Sequence, residues 1–423
     1  MTDAGWISPI LTAARPQAVA ALLRYFRDLD MAEEAYQEAC LRALKAWPKN
    51  GPPRDAAAWL IMVGRNAGVD GVRKRAREQP LPPEEVLSDL SDAEEALVEG
   101  IDEADYRDDI LRLLFICCDP GLRATQQIAL ALRIVSGLPV ARIARAFLVS
   151  EAAMEQRITR AKKSVNATQA KFEAPGPIER SERLAAVAAM IYLLYNEGYT
   201  SDVAERGPRA PLCEEAIRLA RLLLRLFPTE PEIMGLLALI LLQHARAPAR
   251  FDAEGAVVLL DEQDRSLWDR TSITEGLALV DKAIRHRRPG PYQAQAAIAA
   301  LHARAASAQE TDWDGIAQLY AALEQMQPSP VVTLNRAVAV SKVQGAGAAL
   351  AMIEPLEPRL GGYFYFHGAR GAFLLELGRE AEARDAFGRA IALANTPAEA
   401  AHMRDRIDRL TAEARQAGPG GTR

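Results

Sequence analysis

Polar side chains in residues 151–165 are spaced so that they share one face of a predicted helix, and their types suit contacts with DNA. Ser150 directly precedes this segment and is a favourable N-cap residue. The side chains predicted to face inward are Ile143, Val149, Met154, Ile158 and Ala161. Those predicted to stay exposed are Glu155, Gln156, Thr159, Arg160 and Lys163. Arg160 and Gln156 can pair with base edges, Lys163 suits a phosphate, and Glu155 can accept a hydrogen bond from a cytosine amino group. With a first helix predicted in residues 137–147, this pattern is typical of a helix-turn-helix unit whose second helix reads a DNA groove.

Charge is segregated along the front part of the chain. Residues 54–77 and residues 142–163 each hold six basic and two acidic residues, whereas residues 78–109 hold thirteen acidic residues and one basic residue. Basic patches attract phosphates, so two separate contacts with nucleic acid are predicted on either side of an acidic segment. The net charge of −5 conceals this pattern.

Composition and periodicity predict an all-α protein of several domains. The chain has 423 residues, of which 49% are hydrophobic, and β-branched runs are scarce. Three front helices are predicted around residues 18–26, 35–47 and 59–67, with Asp30 as the cap of the second. The residues predicted to break the chain before the third helix are Pro48, Gly51, Pro52 and Pro53. A second helical unit is predicted from about residue 106 to residue 165, and the acidic, proline-containing stretch between the two units reads as an extended linker.

The back of the chain repeats itself every 34 residues, which is the period of tetratricopeptide repeats. The recurring sets are Ala303, Ala337 and Gly371; Gly315, Ala349 and Ala383; Leu319, Ile353 and Phe387; Ala322, Leu356 and Ala390. Small residues are needed where two helices cross closely, and a bulky residue fills the gap between neighbouring pairs. An α-solenoid is therefore predicted, interrupted by a swollen connection at residues 199–211 and an insertion at about residues 247–271.

Catalytic and metal-binding motifs are lacking in the sequence. The cysteines, Cys40, Cys117, Cys118 and Cys213, do not have the spacing of a metal site, and all five histidines lie in the predicted solenoid without ligand spacing. No nucleophile motif and no dinucleotide-binding loop is present. We therefore expect a protein that is not an enzyme and that uses no metal or cofactor. Without a secretion signal or a membrane-spanning stretch, it is expected to remain in the cytoplasm, away from the membrane.

Residues 11–167 resemble bacterial extracytoplasmic-function sigma factors, which belong to the sigma-70 family. The matching segments are residues 31–44, residues 58–73 and residues 138–163, in that order. The resemblance implies that the chain binds RNA polymerase core and directs promoter recognition and transcription initiation. It implies polymerase binding through Gln37, Glu38 and Leu41. It implies contact with the minus-ten element through Trp59, Arg65, Asn66, Arg73, Lys74 and Arg77. It implies contact with the minus-35 element through Glu155, Gln156, Thr159, Arg160 and Lys163.

The back of the chain is similar to the C-terminal extension of one sigma-factor group, through residues 195–199 and residues 260–268. The expected organisation is a region 2 domain at residues 10–77, an acidic linker at 78–104, a region 4 helix-turn-helix domain at 105–168 and a tetratricopeptide-like regulatory domain at 178–414. We expect the last domain to regulate the sigma factor in response to an unknown protein or small-molecule signal. The residues predicted to make the regulatory contact are Asp261, Asp264, Arg265 and Trp268.

Four alternatives remain open at the level of sequence. The chain can be read as a tetratricopeptide adaptor whose sigma-like head binds protein, or as a solitary regulator that binds duplex DNA without polymerase. The insertion at residues 260–268 can also be a capped loop that only packs on the solenoid. The linker can imitate RNA in the polymerase channel or act as a plain solvated tether.

Overall fold

The computed structural model describes residues 6–76, 103–147, 149–167, 177–199, 203–252, 258–394 and 397–416, and it forms two compact units. The first unit spans Met1–Gly198 and the second spans Tyr199–Arg423. The regular elements of the described residues are α-helices and short 3₁₀ turns, which confirms the all-α prediction. Among these helices, none has both the length and the apolar character required to cross a membrane.

The first unit contains eight described α-helices. They are α1 (Ile7–Phe26), α2 (Leu29–Asn50), α3 (Ala56–Ala76), α4 (Glu103–Cys117), α5 (Ala124–Ile134), α6 (Val140–Ala146), α7 (Glu151–Asn166) and α8 (Pro177–Tyr199). Helices α1, α2 and α3 pack against one another, α4 packs on α1, and α7 packs on α5 and α6. Leu22, Leu23 and Leu60 are fully or almost fully buried in the front bundle, as are the aromatic side chains of Tyr36 and Trp47.

The ends of α2 and α7 follow from capping. Asp28, not Asp30, caps α2 by accepting a hydrogen bond from the Met31 backbone N–H at 2.9 Å, so the prediction for Asp30 is wrong. Pro48 lies inside α2, which continues to Asn50, and the chain leaves the helix at Gly51 with a φ of 79°. Ser150 caps α7 as predicted, accepting from the Ala153 N–H at 3.2 Å.

The second unit is a succession of helices, most of which pack on the next one along the chain. They are α9 (Val203–Leu226), α10 (Pro231–His244), α11 (Arg270–Arg285), α12 (Pro291–Arg304), α13 (Trp313–Met326), α14 (Pro330–Gln344), α15 (Ala346–Ile353), α16 (Glu357–Leu360), α17 (Phe364–Glu376), α18 (Glu380–Leu393) and α19 (Pro397–Gln416). The predicted swollen connection at 199–211 is shorter than expected, because α9 already begins at Val203. The insertion between α10 and α11 holds only short 3₁₀ turns among its described residues.

The 34-residue spacing places equivalent residues in successive helix pairs. Ala303, Ala337 and Gly371 lie in α12, α14 and α17, and each of these helices packs on the next one along the chain. Phe387 is fully buried, and a Cβ on Gly371 would lie 2.5 Å from its ring. The absence of a side chain at Gly371 therefore lets α17 and α18 approach closely.

We expect Gly371→Ala to destabilise the second unit by about 1–3 kcal/mol, because the added methyl group must displace the enclosed Phe387 ring. Gly388→Ala is the matched control on α18, since a Cβ there meets nothing within 4 Å. That control should stabilise the helix by about 0.5–1 kcal/mol. Denaturant unfolding measures both free energies, and equal effects of the two substitutions would contradict the assignment of this crossing.

Candidate nucleic-acid interface

Helix α7 presents a polar face with the composition that the sequence predicts. Met154, Ile158 and Ala161 are buried against the rest of the unit. The exposed residues of the helix include Glu155, Gln156, Thr159, Arg160 and Lys163. The Arg160 guanidinium donates to Gln156 Oε1 at 3.0 Å, so these two side chains already lie side by side. A pair of this kind is arranged to present donors and an acceptor to base edges.

A cleft of about 500 Å³ extends this face toward the start of α5. It is lined by Arg123, Thr125, Gln126, Ala153, Gln156, Arg157 and Arg160. Arg123 directly precedes α5, and its backbone N–H donates to Gln126 Oε1 at 3.0 Å. Three guanidinium groups beside a helix N-terminus form an electropositive surface that suits a phosphate backbone.

Arg123 and Arg157 of this cleft were not predicted from the sequence. Arg157 is half-buried at the border of the inward face, and Arg123 reaches the cleft only through the packing of α5 on α7.

Helix α2 exposes apolar side chains that the unit does not cover. Leu41 is 54% exposed and Leu44, three residues later on the same face, is 49% exposed. Gln37 is exposed, and half-buried Glu38 pairs with Arg42 at 3.1 Å. The sequence predicted Gln37, Glu38 and Leu41 as binding residues but did not include Leu44. Two exposed leucines rimmed by polar side chains are the composition of a protein-binding patch.

The residues predicted on α3 are found in different environments. Trp59 is half-buried and contacts Trp47 edge-on at a ring-centroid distance of 5.4 Å. The Arg65 guanidinium lies over the Tyr25 ring at 4.4 Å, and Asn66 is exposed. Arg73 and Lys74 belong to the last turns of α3. Arg77 lies outside the described residues, as does the predicted linker up to residue 102.

In the second unit, the insertion at residues 260–268 folds back on the end of α12. Arg265 donates to the carbonyl oxygens of His302 and Ala305 at 2.8 and 2.6 Å, and it lies over the Trp268 ring at 4.9 Å. Trp268 itself is buried, at 3% exposure. Asp261 reaches Lys342 at 3.5 Å and remains exposed. Of the four predicted contact residues, Arg265 and Trp268 therefore anchor the insertion, while Asp261 and Asp264 face solvent. Leu267, 53% exposed beside them, was not predicted.

His302 makes the stability of this region depend on pH. Burial, together with the nearby Arg246 and Arg265 cations, lowers the pKa of His302 from 6.5 to about 4. Between these values the unfolded chain binds a proton that the folded chain does not, so stability is fully present above pH 6.5 and falls as the pH drops toward 4. We expect protonation of His302 to lower the free energy of unfolding by up to about 3 kcal/mol across this pH range.

Thermal unfolding of wild type and His302→Gln across this pH window measures that contribution. The difference in stability between the two proteins should narrow as the pH falls from 6.5 to 4. Parallel stability curves for wild type and His302→Gln would show that His302 does not titrate as described.

Three segments of the chain match known protein families. Residues 10–78 match the family described as Sigma-70 region 2, and residues 115–165 match the family described as Sigma-70, region 4. Residues 183–284 match a family of unknown function, DUF6596. A relative from Rhizobium meliloti (strain 1021), described as an uncharacterized protein, is 68% identical over 413 residues, which cover 98% of each chain. No solved structure matches the chain.

Proposed function

The chain belongs to the sigma-70 family, whose members are non-enzymatic factors for promoter recognition and transcription initiation, and we propose that it is an extracytoplasmic-function sigma factor with a regulatory rear unit. RNA polymerase core and promoter DNA are its partners. In this proposal α2 binds polymerase, α3 contacts the minus-ten element and α7 reads the minus-35 element. The observation that carries the assignment of α7 is the exposed Gln156–Arg160 pair at the edge of the arginine-lined cleft.

The experiment that tests the front half is transcription in vitro with purified polymerase core and a library of genomic promoter fragments. We expect specific start sites that share two sequence elements. Absence of specific starts would favour the adaptor reading of the sequence. Tight binding to duplex DNA without polymerase would favour the solitary-regulator reading.

We propose that the second unit is a tetratricopeptide-like solenoid. Two observations support this: the 34-residue register falls on successive helix pairs, and Gly371 provides the close crossing that such pairs require. The sequence predicts domains at residues 10–77, 105–168 and 178–414. In the structure α8 belongs to the compact unit Met1–Gly198, and the Arg183 guanidinium lies over the Phe115 ring at 5.7 Å, so we propose that the last domain begins at Tyr199 and not at residue 178. A truncation that keeps the front half intact should therefore end after Gly198.

We propose that the solvent-facing side of the insertion receives the regulatory signal, through Asp261, Asp264 and Leu267. Arg265 and Trp268 hold the insertion in place, so their substitution would disturb the loop and not only the contact. Leu267→Glu removes the exposed apolar group without a loss of packing. Ile284→Glu on α11 is a matched control, because Ile284 is also exposed, at 60%.

Promoter output in cells tests this role in the full chain, in the chain truncated after Gly198 and in the two point variants. We expect the truncation and Leu267→Glu to change the output in the same direction, and Ile284→Glu to leave it as in wild type. Output that is the same with and without the second unit would remove the regulatory role.

A further inference from the structure

Arginines gather in the second unit around the two ends of the insertion between α10 and α11. Arg246 and Arg250 follow α10 and share one partner, Tyr199. The Arg246 guanidinium donates to the Tyr199 hydroxyl at 3.5 Å, and the Arg250 guanidinium lies 3.9 Å from the centre of the same ring. Arg265 comes from the far end of the insertion. We call Arg246, Arg250 and Arg265 the arginine cluster.

Arg265 joins Arg246 because the two ends of the insertion meet. The Asp269 backbone N–H donates to the Ala245 carbonyl at 2.9 Å, which holds the chain next to Arg246 against the chain that follows Arg265. His302 reports on both cations. Arg265 donates to its carbonyl oxygen at 2.8 Å, and burial, followed by the charges of Arg246 and Arg265, lowers the pKa of its imidazole to about 4. The two guanidinium groups therefore share one neighbourhood.

The arginine cluster lacks the counterions that other arginines of the second unit have. Half-buried Arg218 pairs with Glu215 at 2.6 Å, for example. Among the residues that the structure describes, no carboxylate forms an ion pair with a member of the cluster, although all three arginines are half-buried. Like charges held together away from water destabilise the fold unless an anion compensates them. Such an arrangement of guanidinium groups is typical of an anion-binding site.

The acidic groups near the cluster lie at its solvent-exposed edge. Asp261 acts electrostatically on Arg265 and on His302, but its carboxylate contacts Lys342 at 3.5 Å and is exposed. Glu310 acts on Arg265 and is also exposed. Because solvent screens exposed carboxylates, they compensate the half-buried arginines only in part. The surroundings of the cluster therefore stay electropositive.

Buried polar atoms without a hydrogen-bond partner occur at the same place. Trp268 is 3% exposed, and its Nε1–H has no acceptor among the described residues. The ring adjoins the cluster, since the Arg265 guanidinium lies over it at 4.9 Å. Arg246 Nε and His302 Nδ1 are also buried without a partner in the described part of the chain. Buried donors are normally satisfied, so their concentration beside unpaired cations indicates a bound group that accepts hydrogen bonds.

The placement of these groups favours a tetrahedral oxyanion. Arg246 follows α10, Trp268 ends the insertion and His302 belongs to α12, so the groups come from three separate segments. A phosphate group has several oxygens that accept hydrogen bonds from different directions. A planar carboxylate is matched best by the two parallel N–H groups of a single guanidinium.

We propose that the arginine cluster, together with Trp268 and His302, binds a phosphate group, either as the free ion or as part of a small metabolite. Arg246 and Arg265 supply the positive charge, and Trp268 supplies a neutral N–H donor. All of these residues lie in the second unit. The inference therefore goes beyond the proposed function and does not depend on the roles of α2, α3 and α7.

Calorimetric titration of the full chain with inorganic phosphate, at constant ionic strength and pH 7, tests the proposal. We expect saturable binding that sulfate competes with, and at least about tenfold weaker competition by acetate. A sugar phosphate and a nucleoside monophosphate are titrated in the same way. Tighter binding of either one than of inorganic phosphate identifies a metabolite as the source, whereas equal or weaker binding of both identifies the free ion.

Arg246→Gln removes one cation and one unpaired donor, and we expect it to weaken phosphate binding at least about tenfold. Arg218→Gln is the matched control, because Arg218 is a half-buried arginine with a carboxylate partner. Arg123→Ala controls for the arginine-lined cleft of the first unit. Both controls should bind phosphate as the wild type does. Trp268→Phe keeps a buried aromatic ring and removes only the N–H donor, so it should weaken binding by a smaller factor.

The pKa of His302 provides a second measurement that is independent of heat changes. A bound phosphate stabilises the imidazolium, so the pKa should rise from about 4 by about one pH unit or more when phosphate is saturating. Arg246→Gln without phosphate should also raise it, because one of the nearby cations is lost. NMR of histidine-labelled protein measures these values, and His302→Gln identifies the signal. A chain that has lost its fold would show the ordinary histidine pKa and is recognised by circular dichroism.

Absence of saturable phosphate binding, or equal affinity of wild type and folded Arg246→Gln, would overturn the proposal. Loss of binding in Arg123→Ala would place the phosphate in the first unit, and stronger competition by acetate than by sulfate would assign the site to carboxylates; both results contradict the proposal. None of these measurements involves polymerase or DNA. Failure of transcription in vitro would therefore reject the proposed function and leave the phosphate site standing.

Discussion

Replacement of Leu41 by Glu is expected to weaken binding of the chain to RNA polymerase core by at least about 30-fold. This corresponds to about 2 kcal/mol, the loss typical of an apolar anchor at the centre of a protein interface. Leu41 is 54% exposed and contributes little to the packing of the bundle, so the substitution should not unfold the protein. A carboxylate at this position would have to be desolvated in the complex, which adds to the lost apolar contact.

Core binding can be measured by titration of labelled polymerase core with the wild type, Leu41→Glu and a matched control. Leu193→Glu on α8 is that control, because Leu193 is exposed to a similar extent, at 46%, and belongs to a different helix. Leu44→Glu should weaken binding in the same direction, since Leu44 shares the face of Leu41. If Leu41→Glu binds core as tightly as Leu193→Glu does, polymerase binds another surface.

Replacement of Arg160 by Ala is expected to relax sequence preference at one position of the minus-35 element. A bidentate contact to a base is worth about 1–3 kcal/mol of discrimination between bases. The substitution should therefore lower the ratio of the affinity for the preferred base to the affinity for other bases by about tenfold or more. Gln156→Ala should act on the same or an adjacent position. Because Arg160 donates to Gln156 in the free protein, the effects of the two substitutions should not add.

Lys163→Ala provides the contrast, because a phosphate contact carries no sequence information. It should weaken promoter binding uniformly across the library. It should also reduce the slope of the logarithm of affinity against the logarithm of salt concentration by about one. Arg123→Ala should behave like Lys163→Ala if the cleft holds a phosphate. The measurement is binding of the polymerase complex to a randomised minus-35 library at several salt concentrations. A uniform loss for Arg160→Ala, with no change in preferred bases, would assign Arg160 to the backbone.

The elements with strong local signals were predictable from the sequence. Ser150 and the apolar spacing after it gave α7, its cap and its exposed face, because capping and helical periodicity depend on neighbours within a few residues. The 34-residue period likewise led to successive helix pairs. The sequence predicts Asp30 as the cap of α2, whereas Asp28 caps it, because two aspartates only two residues apart offer the same local signal.

Local sequence patterns do not predict contacts between residues that are far apart in the chain. Glu33 lies next to Glu34, and only the fold shows that the first is buried among three cations while the second is exposed. Arg123 joins Arg160 in one cleft although 37 positions separate them. In the insertion, no periodicity distinguishes inward from outward residues, so the inward anchors Arg265 and Trp268 could not be separated from the outward Asp261 and Leu267.

The placement of the tryptophans gives the chain its own optical probes. Trp6, Trp47 and Trp59 form one cluster in the front bundle, with Trp6 and Trp47 stacked at 6.5 Å. Trp268 and Trp313, the other two of the five, lie in the second unit beside the cations Arg265 and Lys342. Replacing either group by Phe leaves intrinsic fluorescence that reports on one half of the molecule alone. Changes in the front bundle and changes at the insertion can thus be followed separately, in real time and without an attached dye.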